Sequence, residues 1–265
     1  MMVKDKGFNE ERSEMYERAI SEYPLARAED IMAMHKHLNP SEGEIILGVG
    51  EGNGFFCKPI LEAIGVNGKY IVTEPSYSQL ENLKLRTGNP PNLETFVMGA
   101  ENIDFPSESF DKVWSFGAMH HCDKQEEAFK RIYNSLKKQG EIVICDVFQG
   151  SLLADHFDEQ VAKYSCTGHN VKFLSERMAY SLCYLAGFDD SNIIIEDLPQ
   201  KWHFRTERDL GRFIYLLHGM SKALGGSEEE KYRFVLDGCK RLLGIKKEKG
   251  GYAVNWPLKV LKAIK

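Results

Sequence analysis

The chain has 265 residues and carries 34 Lys plus Arg against 39 Asp plus Glu, a formal charge of −5; with 43% hydrophobic and 28% charged residues it excludes a disordered or fibrous protein. No apolar run approaches the roughly 18 residues of a membrane span, the first dozen residues are charged where a secretory signal would be apolar, and six scattered cysteines without a CxxC pair read as reduced thiols, so the expectation is a cytoplasmic protein. The mildly acidic balance argues against a broad nucleic-acid or membrane surface, and at about 150 residues per domain the length suits one large domain or one domain with a cap.

A helical pattern opens the chain over 11–37, with Met15, Ala19, Ile20, Tyr23, Ile31, Met34 and Leu38 at helical spacing. Pro24 predicts a break into two helices, because an interior proline removes a backbone donor and clashes with the preceding turn. From Glu44 the pattern alternates: apolar runs at 44–49, 69–74, 92–98, 111–116 and 141–148 are separated by helical candidates at 54–64, 76–86 and 123–138. This rhythm predicts a largely parallel sheet with helices on both faces. A helix over 173–186 stops at Gly187, and a strand follows at 192–198. A long helical insertion then occupies 203–246, and a strand at 251–264 closes the chain. The expected organisation is an N-terminal helical segment (1–40), an α/β doubly wound, Rossmann-like domain (41–198 with 250–265), and cap insertions (149–172 and 199–249). The caps belong over the carboxyl edge of the sheet, where open α/β sheets bind ligands.

The most specific segment is IILGVGEGNGFF, residues 45–56, in which a strand runs through Gly48, Gly50, Gly52 and Gly54 into a helix. Glycines let the backbone turn sharply and approach a ligand closely, while a helix N-terminus offers unpaired N–H groups. Glu74 ends the second strand, twenty residues beyond Gly54. A carboxylate there can accept bonds from two ribose hydroxyls, each charged hydrogen bond contributing about 1.5–3 kcal/mol. Two cofactor classes use such a loop. The dinucleotide fingerprint wants GxGxxG, but from Gly48, Gly50 and Gly52 the third glycine position holds Asn53, Phe55 and Cys57, which leaves a nicotinamide or flavin as a minor alternative.

IILGVGEGNG followed by the acidic TEPS resembles the first two motifs of class I S-adenosylmethionine-dependent methyltransferases. Residues 101–146, with an acidic loop, FPSESFD, a strand, a paired histidine, a helix and the turn LKKQG, resemble the small-molecule branch of that superfamily. The helix, AGF and strand over 173–195 also match, so the resemblance covers about residues 41–198. It implies a Rossmann-like sheet with an antiparallel C-terminal strand, S-adenosyl-L-methionine as cofactor, and methyl transfer to a small molecule. It further implies that Gly50, Gly52 and Gly54 flank the methionine part of the cofactor, with Gly48 beside them. Glu74, followed by Pro75, would hold the ribose; Ala100 and Glu101 would lie along the adenine edge, and Phe116 beneath the sulfonium. The family usually has an acidic residue where this chain has Gly48, and an Asp where it has Gly99. Glu51 is then the candidate for the cofactor's ammonium, Asn102 or a backbone carbonyl the candidate for the adenine, and Asp at position 99 is expected to tighten cofactor binding.

Methyl transfer from a sulfonium is an in-line displacement, in which the protein aligns the reactants and excludes water. His120 and His121, after the fourth strand, are candidates to deprotonate or orient the acceptor; starting the next helix is their alternative role. In related enzymes an N-terminal helix folds over the cofactor, which makes Tyr16 a third catalytic candidate. Tyr23, Trp202 and Arg205 are candidate substrate contacts, an aromatic pocket with Arg205 or Arg212 suiting an anionic or amino-acid-like substrate, while Trp256 is expected in the core. No metal is expected, because the adjacent residues of HHCD rarely converge on one ion and no second ligand pair has suitable spacing. The expected partner is a small-molecule substrate, with neither nucleic acid nor membrane, and the oligomeric state stays open. Two other readings keep the fold: a non-methylating use of S-adenosylmethionine, such as its intramolecular cyclisation, and a non-catalytic partner subunit.

Overall fold

Near-continuous burial along the apolar runs at 45–49, 69–74 and 142–146 is satisfied by one sheet covered on both faces. A computed structural model describes residues 8–265, so Met1–Gly7 of the expected N-terminal segment lie outside the described residues. Strands β1 (Ile45–Val49), β2 (Lys69–Glu74), β3 (Leu93–Val97), β4 (Phe110–Phe116) and β5 (Leu136–Asp146) are parallel. They are joined by β6 (Ile194–Phe204), β7 (Ile245–Glu248) and β8 (Gly251–Ile264). The order is β3-β2-β1-β4-β5-β8-β6, with β8 antiparallel to both its neighbours and β7 paired to β8. The expected α/β doubly wound sheet with an antiparallel C-terminal strand is present. Strand order reverses between β1 and β4, so the crevice for a ligand lies at their carboxyl ends.

Successive strand residues point to opposite faces, which divides the core. Ile46, Val72, Trp114 and Val143 pack on one side with α1 (Glu10–Glu22), α2 (Ala28–His37), α3 (Cys57–Ile64) and α4 (Tyr77–Thr87). Leu47, Ile71, Val113 and Ile142 pack on the other with α5 (Gln125–Ser135) and α8 (Glu176–Ala186). Between β5 and α8 runs a helical segment of α6 (Leu152–His156), a π-turn (Phe157–Val161) and α7 (Ala162–Tyr164). Together with α9 (Glu207–Leu217) and α10 (Glu228–Leu242) it continues the first core and closes the sheet's carboxyl edge. No helix among the described residues is long and apolar enough to cross a membrane.

Among the boundaries that differ from the sequence reading, three alter the architecture. The helix expected to reach 138 ends at Ser135, because Leu136 already pairs with Phe110 and the chain then passes through a bulge, with Gln139 at φ 63°, before Glu141 pairs with Lys112. The strand expected to stop at 198 continues to Phe204, with Leu198, Gln200, Trp202 and Phe204 all buried at every second position; residues 199–204 therefore belong to the sheet, and the second cap segment is shorter than expected. The helical insertion expected at 203–246 holds two helices, Ser227 and Glu230 forming a capping box that starts α10 afresh, and its end from Ile245 is already strand β7.

Candidate functional site

After β1 the backbone turns at Gly50, where φ is 72°, and the loop is pressed against the turn that follows β4. A Cβ on Gly50 would lie 2.4 Å from the Ala118 Cβ. Glu74, buried at the end of β2, locks the loop: its Oε2 accepts the Gly52 N–H at 3.0 Å and its Oε1 accepts the Ser76 N–H at 2.9 Å. The two glycines that stand where the family has acids are explained by neighbouring carboxylates. A Cβ on Gly48 would lie 2.4 Å from the Tyr70 hydroxyl and 2.7 Å from Glu51 Cγ, and one on Gly99 would lie 3.0 Å from Glu101 Oε2. Each glycine makes room for a carboxyl group from two or three residues further on, so an acidic side chain stands at both places. A side chain at position 99 would require the end of the Glu101 side chain to give way by a few tenths of an ångström. Burial, with the nearby charge of Glu74, pushes the Glu51 carboxyl up to about 7, against the opposing pull of Tyr70 and Cys57.

These elements open into one cavity of 410 Å³, within the range of about 300–1,000 Å³ typical of small-ligand sites. Gly50, Glu51, Gly52, Glu74, Pro75, Ala100, Glu101, Phe116, His120, His121, Tyr16 and Trp202 all line it. The structure therefore brings these twelve sequence candidates together, and Asn102 lines the same cavity. Gly48 faces Tyr70, while Gly54 packs against Leu83, where a Cβ would come within 2.7 Å of Leu83 Cγ; neither lines the cavity. Tyr23 and Arg205 also stand apart from it. Tyr23 packs edge-on against Phe204 and Phe213 and bonds Asp209 and Arg212. Arg205 is exposed before α9, and Arg212 pairs with Glu22. The aromatic wall expected around those arginines is instead built by Trp202 and Trp256, stacked at 3.7 Å, with the His218 ring near-parallel to Trp256 at 5.6 Å.

His120 is fixed from behind. Its Nδ1 is 2.6 Å from Asp146 Oδ1, its backbone N–H donates to Asp146 Oδ2 at 3.2 Å, and the Val147 N–H donates to Oδ1 at 2.7 Å. The carboxylate sets the imidazole tautomer, leaving the lone pair on Nε2. His169, from the loop after α7, joins His120 and His121. Burial first, then the neighbouring imidazoles and Arg12, push the pKa of His121 and of His169 far below the usual histidine range. His121 keeps accessible surface because it lines the cavity.

Tyr16 reaches the cavity through a buried ionic group. Its hydroxyl oxygen accepts from Arg27 Nη1 at 3.2 Å; Arg27 Nε donates to Asp30 Oδ2 at 2.6 Å, and Asp30 accepts the Trp202 indole N–H at 3.1 Å. The Arg27 guanidinium lies 4.4 Å from the Phe55 ring centre. Burial works against its charge, but Asp30 and Tyr16 outweigh that and raise its pKa. Arg12, Arg27, Phe157, His169 and His218 line the cavity without having been singled out by sequence, because they come from segments without motif spacing. The one local signal was the glycine turn at Gly168, φ 71°, immediately before His169.

Comparison with known proteins places this geometry. Residues 47–144 match the family described as methyltransferase domain. The chain is 32% identical over 97 residues to malonyl-[acyl-carrier protein] O-methyltransferase 1 of Ilyobacter polytropus, covering 37% of this chain and 35% of that protein. It is 25% identical over 215 residues to sterol 24-C-methyltransferase of Eremothecium gossypii, covering 69% and 55%. Relatives also include tRNA U34 carboxymethyltransferase of Histophilus somni, 28% identical over 112 residues and covering 41% and 34%. The matched segment spans about a third of the length of the first and last of these relatives. Among solved structures, Haemonchus contortus phosphoethanolamine N-methyltransferase 2, in complex with phosphomonomethylethanolamine and S-adenosylhomocysteine, superposes with a TM-score of 0.65 over 96% of this chain and 56% of that one at 18% identity, a likeness of fold. The match falls on the glycine loop, the Glu74 strand end and the β4–β5 segment, so over residues 47–144 the chain is similar to a methyltransferase domain.

Proposed function

We propose that this protein transfers the methyl group of S-adenosylmethionine to a small-molecule acceptor. The observation that carries the reading is that the glycine loop, Glu74 and the histidine cluster open into one and the same cavity. The cavity suits the cofactor: Gln79, fully buried on its wall, has both amide atoms without a hydrogen-bond partner among the described residues, a costly state that a polar ligand relieves. Glu74 would hold the ribose, Glu51 the ammonium and Glu101 the adenine, with the backbone of Gly50 and Gly52 against the methionine chain. When bound, the cofactor supplies a methyl carbon whose bond to sulfur breaks, leaving the pair on sulfur, as the acceptor's lone pair attacks. Phe55, Phe56 and Phe116 exclude water from that point, and the imidazoles of His120, His121 and His169 orient and activate the acceptor. Trp202, His218 and Trp256 wall the acceptor side. A small molecule suits an inward-facing aromatic cavity better than RNA does, which needs an exposed cationic surface.

Calorimetric titration with S-adenosylhomocysteine, with NAD as control, tests the first half. Micromolar binding of the former alone is expected, and Glu74→Ala should weaken it about ten- to a hundred-fold, as the loss of charged hydrogen bonds worth about 1.5–3 kcal/mol requires. Absence of binding by the native protein would reject the reading. Incubation of S-adenosylmethionine with candidate acceptors, including tRNA, tests the second half: S-adenosylhomocysteine marks methyl transfer, whereas methylthioadenosine would mark cyclisation.

Glu51 makes cofactor affinity depend on pH. With its carboxyl at about 7 in the folded protein against 4.5 ordinarily, the charged partner of the ammonium is lost as pH falls through 7. The dissociation constant for S-adenosylhomocysteine should rise between pH 7.5 and 5.5, approaching about tenfold per unit, and Glu51→Gln should bind weakly with no such slope. The effect on folding has the opposite sign. A raised carboxyl binds its proton more tightly when folded, so its contribution to stability is full below 4.5 and declines as pH rises to 7. Thermal unfolding of the ligand-free protein across the same range separates the two.

A further inference from the structure

Three imidazoles from two separate segments converge at the acceptor end of the cavity. A ligand nitrogen from each of His120, His121 and His169 lies within 4.8 Å of the others. The ring centres are 4.2 Å apart for His120 and His121, 5.4 Å for His120 and His169, and 5.0 Å for His121 and His169. Three imidazoles on one ion, at about 2.0–2.1 Å per bond and tetrahedral to right angles between bonds, place ring centres about 4.5–5.2 Å apart. The spacing is thus already near that of a loaded site. Two further observations point the same way. Asp146 bonds His120 Nδ1 and is itself held by two backbone N–H groups, the arrangement that orients and sharpens a metal-ligating histidine. His169 is buried with neither ring nitrogen hydrogen-bonded among the described residues, a state that costs free energy unless a ligand uses the lone pair.

We propose that His120, His121 and His169 bind a divalent transition-metal ion, which holds and activates the acceptor; the acceptor part rests on the methyl-transfer reading above. An all-imidazole set selects zinc, cobalt, nickel or ferrous iron over magnesium and calcium, and three protein ligands leave a position open to the cavity. Arg12 lines the same cavity as the three histidines, so the open position favours an anionic group. The class of acceptor that fits bears an ionisable hydroxyl or thiol. On the metal its O–H or S–H loses a proton to water at lower pH, and the heteroatom keeps a second lone pair for the methyl carbon. His120 then serves as a ligand and needs no cycle of protonation. Sequence spacing missed the site because the third ligand comes from a loop that the fold alone brings to HHCD.

The test uses untagged, chelator-treated full chain titrated with Co²⁺ and followed by visible absorption, with Zn²⁺ as competitor. One equivalent of cobalt, bound at micromolar concentration or tighter, with the bands of imidazole coordination and displaced by zinc, is expected. His169→Ala should weaken it at least tenfold while leaving S-adenosylhomocysteine affinity unchanged, and His169→Gln, which keeps more of the side chain's volume, replaces it if the alanine variant fails to fold by circular dichroism. Protein that binds S-adenosylhomocysteine but no cobalt overturns the site, as does unchanged cobalt affinity in the His169 variants. Cobalt binding to protein that ignores S-adenosylhomocysteine upholds the metal site and rejects the methyltransferase reading instead.

Discussion

Asp30→Ala is expected to destabilise the protein by about 3–5 kcal/mol, the range for removing one partner of a buried ion pair. Arg27 and Asp30 are both buried, and their contact of 2.6 Å is the shorter of the two hydrogen bonds Arg27 makes with Asp30 and Tyr16. Without the carboxylate, the guanidinium remains enclosed by Phe55, Phe116 and Trp202. Those rings attract a cation but do not replace the lost charge, and the Trp202 indole N–H loses its acceptor too. At about 2–4 °C per kcal/mol for a chain of this size, thermal unfolding by circular dichroism should move down by about 6–20 °C. The double replacement Arg27→Met with Asp30→Leu should recover most of the loss, because a well-packed apolar pair substitutes for a buried ionic one at little net cost. A single variant within about 1 kcal/mol of the native protein would show that Arg27 finds water or another carboxylate, contrary to its burial.

Gly50→Ala is expected to remove cofactor binding, lowering S-adenosylhomocysteine affinity more than about a hundred-fold, close to 3 kcal/mol. Two causes act together. The added Cβ would lie 2.4 Å from the Ala118 Cβ, where carbon atoms prefer about 3.5–4.0 Å, so the loops after β1 and β4 must part. Gly50 also has φ 72°, which costs a residue with a Cβ roughly 1–2 kcal/mol. The double variant Gly50→Ala, Ala118→Gly removes the clash and keeps the strain, so affinity should return only in part. Equal affinity in the single variant and the native protein would mean that the loop does not contact the cofactor.

The glycine loop, Glu74 and the β–α alternation could be read before any fold was known, because strand periodicity, turn residues and an acidic strand end are properties of neighbouring residues. The same holds for Pro24, which does separate α1 from α2, and for Gly187, which caps α8 with φ 116°. The residues proposed for the cofactor side were named from those local features together with the family likeness, and most of them line the same cavity.

The acceptor side was a different problem. Trp256 was expected in the core, and it is buried, yet it also walls the cavity, a double role set by the β6–β8 register that puts it beside Trp202. Tyr23, Arg205 and Arg212 had the right chemistry for a substrate pocket, but helix packing turned Tyr23 and Arg212 toward each other and left Arg205 in solvent. Glu51 and Glu101 acquired their places because Gly48 and Gly99 leave room above them, a steric relation across the loop. His169 met HHCD only through the closure of the segment after β5. Short-range pattern therefore determined the sheet, the glycine loop and the acidic strand end at Glu74, whereas the pairing of remote side chains in the cavity was decided by register and cap packing, which depend on contacts that no periodicity in the chain encodes.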